Sequence, residues 1–263
     1  MTFVKFRNIL MLCTLLFAAA SLAAQKKSKL IWHDEFNGEA LDEAYWNVER
    51  GQGLWGNNEL QHYTRENLSL NDGCLVISAR NSDGNFSSAR INTNGKFSFR
   101  YGTVEARIKL PYGNGMWPAF WMMGSDLNDV GHPRCGEIDI LEMVGGQDGG
   151  TNRLSDAVVY ASTHKPDEND TKIITETGSY AGPHKLSDGF HVYGMKWTKE
   201  VITFYVDGTE YFRADLRGEE NNIFRKEYFF ILNLAIGGNW AGAPTEETVW
   251  PQEMLIDWIR VYE

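Results

Sequence analysis

The sequence predicts an all-β protein, a β-sandwich of two stacked antiparallel sheets, and three observations carry that prediction. Short apolar runs are separated by Gly, Asn and Asp along the whole chain, with no repeat, low-complexity tract or linker; this is the pattern of many short strands. From Thr103 to Leu110 the alternation is strict, with Val104, Ala106, Ile108 and Leu110 on one face and Glu105, Arg107 and Lys109 on the other, the period of a half-buried strand. No long segment carries an amphipathic helical period, so one sheet must cover the apolar face of another.

Taken in order, the chain opens with Lys5 and Arg7, an apolar run from Ile9 to Ala20, and small residues up to Ala24. This reads as a secretory signal peptide over 1–24, cleaved near Ala24, so a secreted or periplasmic location is expected. A membrane anchor needs about 20 apolar residues, more than this run supplies, and no membrane span is expected in the mature chain. Cys13 lies inside the run rather than at the cleavage point, which argues against a lipoprotein.

Residues 25–263 suit a single domain with a substantial core, read as a monomer. The net charge of -10 argues against nucleic acid and anionic membranes as partners and favours a neutral substrate. Asn71-Asp72-Gly73 before Cys74–Ala79, and Asp207-Gly208 between Val201–Val206 and Thr209–Phe212, read as tight hairpin turns. Only Cys74 and Cys135 follow the signal segment, too few for a disulfide framework; whether they pair is open. Aromatics make up 13% of residues, which suits either a β-rich core or stacking on sugar rings. Gly145 to Pro183, polar over Lys165–Lys172, is expected to be a loop bordering a cleft.

The chemistry concentrates in Glu137-Ile138-Asp139-Ile140-Leu141-Glu142. In a regular strand Glu137 and Asp139 share a face, whereas Glu142, five positions beyond Glu137, points the other way. A β-bulge around Ile140-Leu141 adds the residue that returns Glu142 to the same face. Three solvated acids on one strand are the bland alternative, but like charges set so close repel, and that pressure is what catalytic carboxylates exploit. Glycosidic cleavage with retention needs a nucleophilic carboxylate and a carboxylic acid about 5 to 5.5 Å apart. Glu137 fits the first role, Glu142 the second, and Asp139 between them can bond the nucleophile and keep a proton on Glu142.

This segment resembles the active-site signature of glycoside hydrolase family 16 in its bulged, laminarinase-like form. Trp32-His33-Asp34-Glu35-Phe36, Asn57-Asn58-Glu59-Leu60-Gln61, Tyr101–Arg107, Trp117–Met122, Asn233–Gly238 and Asp257–Tyr262 resemble the family in order, over essentially the whole mature chain. The resemblance implies a concanavalin A-like jelly roll with a substrate cleft on its concave face, and a retaining endo-hydrolase of β-glucan needing no cofactor for chemistry. It implies substrate contacts from Trp117, Trp121, Asn57 and Trp240. Trp121 suits core and sugar stacking equally, and Arg90 is a weaker candidate, since an Arg beside Ile91 can simply snorkel. His164 matches a family histidine near the acid/base, but Lys165-Pro166 depart from the aromatic and glycines that follow it in laminarinases, which leaves the adjoining subsite open. In the terminal strand Asp257 shares its face with Leu255, Ile259 and Val261, so its charge wants a partner; the resemblance implies a structural calcium at Glu35, Asp257 and the Gly73 carbonyl, all oxygen donors, with ordinary Arg salt bridges as the alternative. Galactan or xyloglucan hydrolysis, and a non-catalytic sugar-binding jelly roll, stay open beside β-glucan hydrolysis.

Overall fold

The computed structural model describes residues 28–53, 55–146 and 155–263; the expected signal peptide lies outside them. Two sheets face each other. The larger has eleven strands and runs Thr209–Asp215, Val201–Val206, His191–Trp197, Gly102–Lys109, Gln252–Tyr262, Cys74–Ser82, Asn85–Ser88, His62–Tyr63 and Gly51–Gln52, with Leu30–Asp34 and Leu68–Asn71 attached at its middle. The smaller has seven, ordered Ile173–Ala181, Val158–Pro166, Glu137–Glu142, Met116–Gly124, Tyr228–Ile236, Arg90–Asn92 and Asn47–Val48. Pairing is antiparallel except where His62–Tyr63 meets Asn85–Ser88. The β-sandwich is as expected, and among the described residues no helix is long and apolar enough to cross a membrane.

Alternation drives the layering. Val104, Ala106 and Ile108 of the larger sheet meet Phe120, Met122, Ile138, Ile140, Phe230 and Leu232 of the smaller in one core, all at 1% exposure or less. Each of these side chains other than Ala106 contributes about 1.5–3 kcal/mol by leaving water. Trp32 stacks on Phe97 at 4.6 Å, so the aromatic residues of the first strand and its neighbours serve the core. Both hairpin turns form as read: Asp72 and Gly73 have φ of 50° and 73°, Asp207 and Gly208 have 49° and 78°, the left-handed pair that a two-residue turn between twisted strands requires.

Two readings change, and the open question of the cysteines is answered. The expected loop between Gly145 and Pro183 is mostly a hairpin, Val158–Pro166 paired with Ile173–Ala181. Its second strand is the sheet's edge and is largely exposed, so no apolar alternation marks it. Asp257 does not share a face with Ile259 and Val261. A register shift between Ile256 and Trp258 keeps Met254, Ile256, Ile259 and Val261 buried and turns Asp257 outward, where Arg107 pairs with it. Cys74 and Cys135 are both buried free thiols, and burial pushes the Cys135 thiol up to about 11, an inert state at neutral pH.

Candidate active site

The Glu137–Glu142 strand pairs with Met116–Gly124 on one side and Val158–Pro166 on the other, and it slips register against both. Phe120 faces Leu141 while Trp121 faces Asp139; on the other side Asp139 faces Ser162 and Glu142 faces Tyr160. Ile140-Leu141 is therefore a bulge. Ile138, Ile140 and Leu141 all sink into the core, and Glu137, Asp139 and Glu142 all open into one cleft of about 420 Å3 on the outer face of the smaller sheet. The same cleft is lined by Asn57, Arg90, Trp117, Trp121, His164 and Trp240, so every substrate-contact candidate from the sequence reaches it.

Their roles differ in detail. Trp117 is 9% exposed; its indole N–H donates to Glu142 Oε1 at 3.0 Å, and its ring meets Trp240 edge-on at 5.4 Å. Trp240 is 43% exposed and is the better platform for a sugar ring. Trp121 donates to Asn233 Oδ1 at 2.7 Å. The Arg90 guanidinium lies 4.9 Å from the rings of both Trp55 and Trp121 and 3.2 Å from Glu49, an arrangement that stiffens the aromatic wall.

Among the lining residues that sequence reasoning did not single out are His132, Glu59 and Asn233. Glu59 and Asn233 lie in segments that carry the family resemblance, but strand patterning gives no way to tell a cleft amide from a ladder residue. His132, between Gly131 and Pro133 in a turn, carries no spacing signal; only the folded chain brings it to Glu137.

Electrostatics separate the three acids. Burial opposes the charge on Glu137, but contact with His132, 2.6 Å from its Oε2, and the fields of His164 and His132 outweigh it and hold the carboxyl below its usual range. Asp139 is 2% exposed; burial and the adjacent Glu137 charge push it well above the usual range. His164 Nε2 lies 2.8 Å from Asp139 Oδ2, and its Nδ1 lies 2.8 Å from Thr175 Oγ1, which orients the ring from both ends. Glu142 is raised well above normal by burial first, then by the charges of Asp139 and Glu137, with the Trp117 bond opposing. The surroundings thus favour the anion at Glu137 and the acid form at Glu142, two carboxyls whose environments push them apart.

Trp117→Phe removes a donor that favours the ionised form of Glu142. The basic limb of kcat/KM is expected to move to higher pH, with kcat/KM lowered roughly 2- to 10-fold. A pH–rate profile checks both.

Glu137, Asp139 and His164 bring one donor atom each within 4.8 Å of one another. The Asp139–His164 contact and the adjacency of the acids account for that spacing, and we assign no metal there.

The model of the β-porphyranase A–D GH16 domain matches residues 31–263. The chain is similar to the clotting factor G alpha subunit of Tachypleus tridentatus, 35% identical over 97% of this chain, but it spans only 37% of that relative's length. It is also 35% identical to the β-glucanase of Rhodothermus marinus, covering 97% of this chain and 94% of that protein. The solved laminarinase of Flavobacterium sp. UMI-01 superposes with a TM-score of 0.79 at 40% identity, over 89% of this chain and all 100% of that one. With sheet order, bulged acid strand and these matches agreeing across its length, the chain belongs to glycoside hydrolase family 16.

Proposed function

We propose that the protein is an exported, retaining endo-hydrolase of β-1,3-glucan, with mixed-linkage β-1,3/1,4-glucan within its range. The observation that carries this reading is the bulge that sets an ionised Glu137 and a protonated Glu142 on one wall of a sugar-sized cleft. Glu137 attacks the anomeric carbon, the glycosidic C–O bond breaks, and Glu142 gives its proton to the departing oxygen. Asp139, hydrogen-bonded to Glu137, steadies the nucleophile. Once the ester forms, the charge of Glu137 is gone and Glu142 sits as a carboxylate. It takes a proton from water, whose oxygen bonds to the anomeric carbon as the ester C–O bond breaks. Trp240, Trp121 and Asn57 position the rings, and the named activities of the similar β-glucanase and laminarinase support a glucan substrate.

A second reading, hydrolysis of a β-linked galactan, is favoured by one observation: the matching family model is described by β-porphyranases. Digestion of laminarin, lichenan, agarose, porphyran and xyloglucan, with products read by mass, separates the two. Oligosaccharides from laminarin and lichenan alone are expected. Release from agarose or porphyran alone overturns the glucan assignment, and binding without release from any polymer overturns the enzyme assignment in favour of a sugar-binding jelly roll. Export predicts a mature protein whose N-terminus, read by sequencing, lies near Gln25.

The calcium implied by the resemblance belongs to the same proposal and takes no part in the chemistry. Glu35, Asp257 and the Gly73 carbonyl offer the oxygen donors that calcium takes. Arg260 holds Glu35 through two hydrogen bonds of 2.8 and 2.9 Å, and Arg107 holds Asp257, so the ion must displace guanidinium groups. Chelation is expected to lower Tm by roughly 5–10 °C, calcium alone restoring it; an unchanged Tm shows that the arginines suffice.

A further inference from the structure

The contact between His132 and Glu137 has no part in the double displacement as written. Nε2 of His132 and Oε2 of Glu137 are 2.6 Å apart, and both atoms present lone pairs unless a proton lies between them. Glu137 is held as the anion, so the proton belongs to the histidine. The ring comes from outside the acid strand. Gly131 and Pro133 carbonyls accept from the Cys135 and Gly136 N–H groups, each at 2.9 Å, closing a tight turn, and Arg134 pairs with Asp170 in the turn of the neighbouring hairpin. His132 is thereby fixed above the first residue of the strand, 32% exposed beside a Glu137 that is 18% exposed.

We propose that His132 is a positioning residue for the nucleophile, and that its largest effect falls on hydrolysis of the glycosyl-enzyme rather than on its formation. The proposal rests on Glu137 being the nucleophile. In the first half-reaction the carboxylate spends charge as it attacks, so a donor that stabilises that charge orients the group without lowering the barrier much. In the second half-reaction water bonds to the anomeric carbon and gives its proton to Glu142. The ester C–O bond breaks and its electron pair returns to Glu137. Charge then develops on the carboxylate that His132 faces, and an interaction that strengthens toward the transition state is the one that accelerates a step. The histidine transfers no proton.

Other groups act on Glu137 as well. Asp139 lies on its own strand and His164 stands opposite it in register; Glu142 lines the same cleft, and Tyr228 and Cys135 pack behind. His132 contacts the Glu137 carboxylate at 2.6 Å from outside the acid strand, so the substitution isolates one contact. His132→Ala and His132→Gln are to be compared with wild type on the dinitrophenyl β-glycoside of whichever disaccharide repeat the digestion panel shows to be cleaved. With so good a leaving group, hydrolysis of the intermediate sets kcat.

For His132→Ala, kcat is expected to fall about 10- to 100-fold while kcat/KM above its acid limb stays within about 3-fold of wild type, the loss of one charge-assisted contact in one step. KM falls with kcat, and a glycosylated Glu137 peptide accumulates, seen by mass. The acid limb of kcat/KM moves to higher pH, because a contact that favours the ionised carboxyl is gone. His132→Gln, which keeps an N–H donor, recovers most of kcat. Equal losses in kcat and kcat/KM, a rise in KM alone, or wild-type behaviour of both variants with unchanged Tm would overturn the proposal. Glu137→Ser distinguishes the two levels: if that variant stays active the nucleophile assignment itself is wrong, whereas an inactive Glu137→Ser beside an unaffected His132→Ala refutes only the role given to His132.

Discussion

Glu137→Ser is expected to reduce polysaccharide hydrolysis by on the order of 10,000-fold while leaving the fold intact and Tm equal to or above that of wild type. The stability half of this follows from the cluster. Glu137 keeps a carboxylate charge beside two buried acids, both raised partly by its field; removing it removes the cost of holding that charge out of water. The kinetic half follows from position, since Glu137 is the cleft carboxylate whose surroundings favour the anion. Burial and the Glu137 charge push Asp139 up, and His164 contacts it; burial also raises Glu59, which accepts from Gln61 at 2.7 Å. Azide supplied to the variant should occupy the space left by the side chain and attack from the same side, giving an α-glycosyl azide from a β-linked substrate. Recovery of a β-glycosyl azide, or residual activity above about 1% of wild type, would assign the nucleophile elsewhere.

Glu142→Gln is expected to lower hydrolysis of polysaccharide by about 100- to 10,000-fold, the usual span for a positioned general acid. Glycosylation by a dinitrophenyl glycoside, whose leaving group needs no proton, should be nearly spared. The intermediate then forms and stalls, because no carboxylate remains to activate water, and added azide releases it as the β-glycosyl azide. The basic limb of the pH profile disappears with the titrating acid: Glu142 is raised by burial and by its neighbours, so wild-type activity is lost as pH rises through that elevated value, whereas Gln has no such transition. A profile that keeps its basic limb in Glu142→Gln would locate the acid on another residue.

How far the sequence reaches toward this site can be judged residue by residue. The acids were legible because parity is a local property: Glu137, Asp139 and Glu142 cannot share a face without an added residue, and the register slips opposite Trp121 and Ser162 put it at Ile140-Leu141. The Asp72-Gly73 and Asp207-Gly208 turns were legible for the same reason. His132 was not, because what matters is its height above the start of the strand, set by a turn between Gly131 and Gly136 that leaves no period. The hairpin Val158–Pro166 and Ile173–Ala181 was hidden because its edge strand exposes Ile173 and Ile174 and so mimics a loop. Asp257 misled in the opposite direction: its alternation with Ile259 and Val261 is regular on paper, but a second register slip next to it carries the carboxylate to Arg107.

One kinked position in the acid strand also sets which changes of length it tolerates. Because Ile140 and Leu141 both point into the apolar interior, losing either one would straighten the ribbon and leave the acids at alternate places along it, still side by side. A gain of one residue at the same spot, or a loss between Glu137 and Asp139, would send part of the set to the opposite surface. An in-frame deletion of a single codon is therefore compatible with the catalytic order at the kink and incompatible with it two residues earlier, so relatives that differ in spacing at this point need not differ in chemistry.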